Sequence, residues 1–131
     1  MLEPHRTDVQ LRFADTDALG HVNNASFATF AEIARLDFLH RLGGSVRSLI
    51  LASLHLDFRR QVALGDQVHV ETWVEKLGNS SFTLGQTIFA NRERAADAKS
   101  VVVYFDYANQ RSRPLSPEMR SALEPFLAER S

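Results

Sequence analysis

Short stretches of this chain alternate apolar and polar residues, and one long stretch repeats its apolar residues at helical spacing instead. Val9-Gln10-Leu11-Arg12-Phe13 has the period of two that predicts a half-buried first strand. Asp15 to Gly20 cannot continue it, and Gly20 marks a turn. Asn23 or Asn24 then fits a helix N-cap. Beyond it, Phe27, Phe30, Ala31, Ala34 and Phe38 share one helical face, and Ile33 and Leu36 widen the apolar surface. Thr29, Glu32, Arg35 and Asp37 leave a narrow polar stripe, so the pattern predicts a central helix covered on most sides. Leu42-Gly43-Gly44 supplies its stop.

Strand-like segments follow. Leu49 to Phe58 alternates Leu54, Leu56 and Phe58 with His55 and Asp57. After a Gly65-Asp66 turn, Gln67 to Lys76 alternates around Val68, Val70, Thr72 and Val74. Gly78-Asn79 turns into Ser80 to Ala90, with Phe82, Leu84 and Ile88 as its apolar members. Asn91 to Ala98 is polar and charged, and reads as a hairpin loop. Lys99 to Tyr107 carries a continuous apolar run, Val101 to Phe105, which predicts a strand buried on both faces. Ser116 fits an N-cap for a short terminal helix, Met119 to Leu127.

The order is strand, long helix, then strands joined by short connections, and short connections favour antiparallel neighbours. The economical solution is an α+β fold, a curved antiparallel sheet of about five strands wrapped around one helix. Such a sheet has free edges, so edge pairing or face packing in a homodimer is expected.

A length of 131 residues fits a single domain, 1–131, and 44% hydrophobic residues suffice for one core. A formal net charge of −1 gives no argument for nucleic-acid or anionic-membrane binding. The absence of cysteine excludes a thiol nucleophile, disulfides and thiolate metal sites. The start, Met1 to Asp8, has no apolar signal region, and no run approaches the roughly 18 apolar residues of a membrane span. The expectation is a soluble cytoplasmic protein.

Candidate chemistry concentrates between Asp15 and Asn24. A carboxylate beside a helix N-terminus is well placed, because free N–H groups and the helix dipole there favour developing negative charge. Asp15 and Asp17 are equally compatible with turn chemistry. A calcium loop fits poorly, because its fifth and twelfth positions would be Leu19 and Ser26. His21 can orient a carboxylate, act as acid–base or cap the loop, and no second histidine stands at zinc-ligand spacing. Asn23 and Asn24 are caps, or they mark an oxyanion hole made by backbone N–H groups. Ser80 and Ser81 lack a nucleophile elbow. Phe27, Phe30 and Phe58 suit a pocket or the core equally. Arg59, Arg60, Arg92, Arg94, Lys99, Arg111 and Arg113 are mostly solvated surface, from which several could meet a phosphorylated ligand.

The run Asp15 to Asn24, followed by the helix through Glu32-Ile33-Ala34-Arg35, resembles the hotdog-fold thioesterases, in particular the 4-hydroxybenzoyl-CoA thioesterase-like acyl-CoA hydrolases. Leu56-Asp57-Phe58-Arg59-Arg60 and Gly65-Asp66 resemble the family's next recurrent region, and the likeness extends to about Tyr107. The resemblance implies a hotdog fold and hydrolysis of an acyl-CoA thioester. It implies that Asp17 is the catalytic carboxylate, as nucleophile or general base, with Asn24 and Asn23 at the oxyanion hole and His21 beside them. Phe27 and Phe58 would then face the substrate, with Arg59 and Arg60 toward the CoA phosphates. It further implies a homodimer or homotetramer with the site at the subunit interface, without cofactor or metal. The same run is similar to plant acyl-ACP thioesterases, whose Asp, Asn and His fall here at Asp17, Leu19 and His21, so Leu19 breaks that set. Acyl-ACP hydrolysis and non-catalytic acyl-CoA binding on the same fold are the alternatives. Hydration or dehydration of an acyl thioester would lean on His21 alone.

Overall fold

The computed structural model describes residues 2–43 and 46–128. Six strands, β1 (His5–Val9), β2 (Leu49–Phe58), β3 (Val68–Leu77), β4 (Ser81–Ala90), β5 (Glu93–Asp106) and β6 (Arg111–Ser112), form one antiparallel sheet. Its order is β1-β3-β4-β5-β2, with β6 added on β5. Helix α1 (Asn24–Arg41) lies across one face, and α2 (Pro117–Leu123) with a 3-10 turn (Glu124–Phe126) closes one end. This is the expected hotdog architecture of a curved sheet around one long helix and a short C-terminal helix. No helix of the described residues is long and apolar enough to cross a membrane.

The helix forms where its sequence predicts. Asn23 caps it, its side chain accepting from the Ser26 N–H at 3.0 Å. Phe27, Phe30, Ala31, Ala34 and Phe38 are all buried against the sheet. At the N-terminal half they meet Val70, Ile88 and Ala96, and at the other end Phe38 meets Phe82, Leu84, Val102, Leu123 and Phe126. Burying each large apolar side chain contributes about 1.5–3 kcal/mol. Buried Gln86 of β4 donates to the Ala31 carbonyl at 3.0 Å, tying helix to sheet through a polar contact as well.

Several expectations are corrected. The first strand is His5–Val9, because these residues pair with β3 from Val68 to Thr72. Gln10 to Phe13 lies outside the sheet, a 3-10 turn begins at Phe13, and Phe13 is 81% exposed. The Asn91 to Ala98 stretch is not a loop. Asn91 and Arg92 alone turn the chain, both at positive φ, and β5 starts at Glu93. Its charges lie on the outward face and pair there, Asp97 with Arg59 and Arg94. The Val101–Phe105 run is half-buried rather than buried on both faces, because the helix covers one face only. For the same reason α1 is not covered on most sides: Ile33 and Leu36 are exposed. The terminal helix begins and ends earlier than Met119–Leu127. Gly44 of the expected helix stop lies outside the described residues.

Candidate active site

The loop between β1 and α1 is held by a buried charge. Asp15 is 1% exposed and accepts from the Arg12 guanidinium at 2.9 Å and from the Arg12 backbone N–H at 2.9 Å. The hydrogen bonds from Arg12 hold its carboxyl below the usual range, against the opposing pull of burial. The Asp15 carbonyl accepts from the Asn23 N–H at 2.9 Å and the Ser26 hydroxyl at 3.3 Å. Asp15 is therefore the anchor that sets where α1 begins, and Arg12 is its partner. The spacing of three between Arg12 and Asp15 was the signal for this pair.

Asp17 sits two residues on and is exposed. Its backbone N–H donates to the His21 carbonyl at 2.7 Å, closing a turn that Gly20 completes at φ +82°. Its carboxylate accepts from the N–H of Leu19 at 2.8 Å and of His21 at 3.2 Å. Both bonds reach Oδ1, so the second oxygen has no bond among the described residues. This is an Asx turn whose side chain retains a free acceptor.

A cleft of about 430 Å³ opens here, lined by Asp17, His21, Asn23, Asn24, Phe27, Phe58, Arg59 and Arg60, with Val22 and Gln61. The catalytic and substrate-facing residues expected from the sequence thus meet at one place. The first amides of a helix have no carbonyl within the helix to bond. Asn23 takes that of Ser26, and Asn24 brings the helix start to the cleft. Phe27 reaches the floor from the core and meets Phe58 edge-on at 5.4 Å. Phe30, the third aromatic candidate, is core only. Arg59 and Arg60 are both engaged at the rim, Arg59 with Asp97 at 2.8 Å and Arg60 with Glu93. Val22 and Gln61 carried no signal in the sequence; Val22 is placed by its N–H bond to the Val62 carbonyl at 2.7 Å.

A larger open cleft, about 730 Å³, lies beside the β1–β3 edge. Its carboxylates are already committed, Asp8 to Arg6 and Asp66 to the Ala63 amide and Asn91. Volume alone therefore does not favour it over the cleft that combines a free carboxylate oxygen with a helix start. Among the described residues, no three His, Asp or Glu side chains are grouped to hold a metal.

Comparison with known proteins bears on the family and the fold. Residues 11–123 match the thioesterase-like superfamily. The long-chain acyl-CoA thioesterase FadM of Escherichia coli is 28% identical over 93% of this chain and 98% of its own length. A 1,4-dihydroxy-2-naphthoyl-CoA hydrolase of Synechococcus elongatus is 25% identical over 87% of this chain and 90% of its own. A thioesterase of Thermus thermophilus, solved with coenzyme A and zinc, superposes with a TM-score of 0.87 at 32% identity, covering 98% of each chain.

Proposed function

The chain belongs to the thioesterase-like superfamily, and on that premise we propose that it hydrolyses an acyl-CoA thioester to the free acid and CoA. One observation carries the reading. A carboxylate with an unbonded oxygen, Asp17, and the amide end of an 18-residue helix share one cleft with an aromatic floor.

The chemistry follows from those parts. The thioester carbonyl lies at the start of α1, near Asn24, where the helix dipole and free amides stabilise the oxyanion of the tetrahedral intermediate. Losing one such donor typically costs about 10²–10³ in kcat. Asp17 acts in one of two ways. It attacks the carbonyl carbon to give an acyl anhydride that water then opens, or it takes a proton from water as that water attacks. Both routes expel CoA thiolate, a good leaving group, so no strong general acid is required. His21 closes the Asp17 turn through its backbone and orients the carboxylate. Phe27 and Phe58 pack against the acyl group, and Arg59 and Arg60 stand at the rim on the CoA side. The protein works as a homodimer or homotetramer.

Thiol release from aromatic, short-chain and long-chain acyl-CoA thioesters, and from the same acyl groups on carrier protein, tests the reading. Saturable release from at least one CoA ester supports it. Release only from carrier thioesters moves the substrate to acyl-ACP, and tight binding without any release moves the protein to a binding role.

A further inference from the structure

The Asp17 cleft has two walls. One is the Asp17 turn with the start of α1. The other is the chain from Phe58, the last residue of β2, to Gln61. This second wall is anchored along its length. The amides of Arg59 and Arg60 both donate to the Ala95 carbonyl, at 2.8 and 3.2 Å. Val62 is fully buried, and its carbonyl accepts from the Val22 N–H at 2.7 Å. The Ala63 N–H donates to the Asp66 carboxylate at 2.9 Å. Gln61 therefore stands on backbone that its neighbours hold in place from both sides.

The polar side chains of this wall differ in what they have left to offer. Arg59 is tied to Asp97 and Arg60 to Glu93. Gln61 is exposed and lines the cleft, and its carboxamide has no partner among the described residues. A carboxamide presents an acceptor oxygen and two N–H donors on one planar group. It is neutral, so it stands near the Asp17 carboxylate without like-charge repulsion.

Hydrolysis also needs something that the groups assigned so far do not supply. Water enters by either route, attacking the thioester directly or opening the anhydride. A water bonded to Asp17 alone turns freely about that one bond. A second fixed partner removes this freedom and aims the water's lone pair at the acyl carbon, which is the rate advantage of orientation.

We infer that Gln61 is that second partner, its Oε1 accepting one hydrogen of the attacking water while the open oxygen of Asp17 accepts the other. The water oxygen then adds to the acyl carbon, its proton passes to Asp17, and the carbon–sulfur bond breaks to release CoA thiolate. In the anhydride route the same Gln61 contact holds the water that opens the anhydride. That water adds its oxygen to the acyl carbon, returns the Asp17 carboxylate and gives its proton to solvent. Gln61 takes no proton in either case. The assignment rests on the thioesterase reading.

Gln61→Met keeps the length of the side chain and removes its polar end. The test compares this variant with wild type on the acyl-CoA ester that wild type turns over best, with and without hydroxylamine, quantifying free acid and hydroxamate. Hydroxylamine attacks the acyl carbon through its nitrogen, giving hydroxamate and CoA thiol without a water. The expected result is a kcat for hydrolysis about tenfold lower, the upper end of what one neutral hydrogen bond contributes. KM stays within twofold, the hydroxamate-to-acid ratio rises, and the melting temperature is unchanged because the residue is exposed. A kcat within twofold of wild type, a raised KM with kcat intact, or equal losses of acid and hydroxamate overturns the proposal. The last two outcomes assign Gln61 to substrate binding or to the shape of the cleft. An active wild type matched by Gln61→Met leaves the thioesterase reading standing, whereas a wild type that releases no thiol from any ester overturns that reading and the role of Gln61 with it.

Discussion

Asp15 and Asp17 occupy one loop and differ in almost every physical respect. Asp15 is buried, bonded to Arg12 on both carboxylate oxygens, and linked through its carbonyl to the start of α1. Asp17 is exposed, meets only backbone amides of its own turn, and keeps one oxygen open to a cleft. A carboxylate whose hydrogen-bonding capacity is filled by an arginine serves to hold structure. One supported on a single oxygen can still meet a substrate. On the proposed reading the first aspartate anchors the loop and the second does the chemistry, although the sequence presents them as a near-repeat.

Substitutions can separate these roles. The largest expected effect is on turnover: Asp17→Asn lowers kcat by about 10²–10⁴-fold, the usual contribution of a positioned acid–base group, with an unchanged melting temperature because an amide oxygen still accepts from Leu19 and His21. Next is stability. Asp15→Ala leaves the Arg12 amide without its acceptor and costs about 2 kcal/mol in urea unfolding. The pH dependence follows with its sign. The folded pKa of Asp15 is depressed, so its contribution is present above the unfolded value near 4 and lost as pH falls through the lower folded value. Asp15→Asn should therefore flatten the acid limb of the stability curve below about pH 4. Asn23→Ala removes the cap on Ser26 and costs about 1 kcal/mol, with a smaller loss of kcat than Asp17→Asn. The smallest effect lies outside the loop. Burial and nearby Arg6 push the His69 pKa below 6.5. The unfolded chain then takes the proton first, and stability declines as pH falls through about 6.5; His69→Gln removes that step in a thermal-melt series.

Much of this was legible in the sequence, for identifiable reasons. The β2 span agreed with its alternation, and α1 with its inward face and Asn23 cap, because local propensity and burial point the same way there. The cleft residues were legible because a turn, a cap and a strand end bring them together over a short span of chain. The β5 start was not legible. Charges on the outer face of a sheet look like loop composition until cross-strand partners such as Arg59 and Asp97 are known. The shift of β1 was set by its pairing with β3, a long-range fact. Arg35 fell on an expected polar stripe, and only the sheet beside α1 shows that it is buried.

The most direct test is a side-by-side measurement of kcat for thiol release by Asp15→Asn and Asp17→Asn, at 25 °C and neutral pH, with the folded fraction of each fixed by circular dichroism. The account predicts that Asp15→Asn, corrected for folded fraction, stays within about tenfold of wild type, while Asp17→Asn falls by the 10²–10⁴-fold of a lost acid–base group. Equal losses in the two variants, or an Asp17→Asn protein that turns over at the wild-type rate, would contradict it.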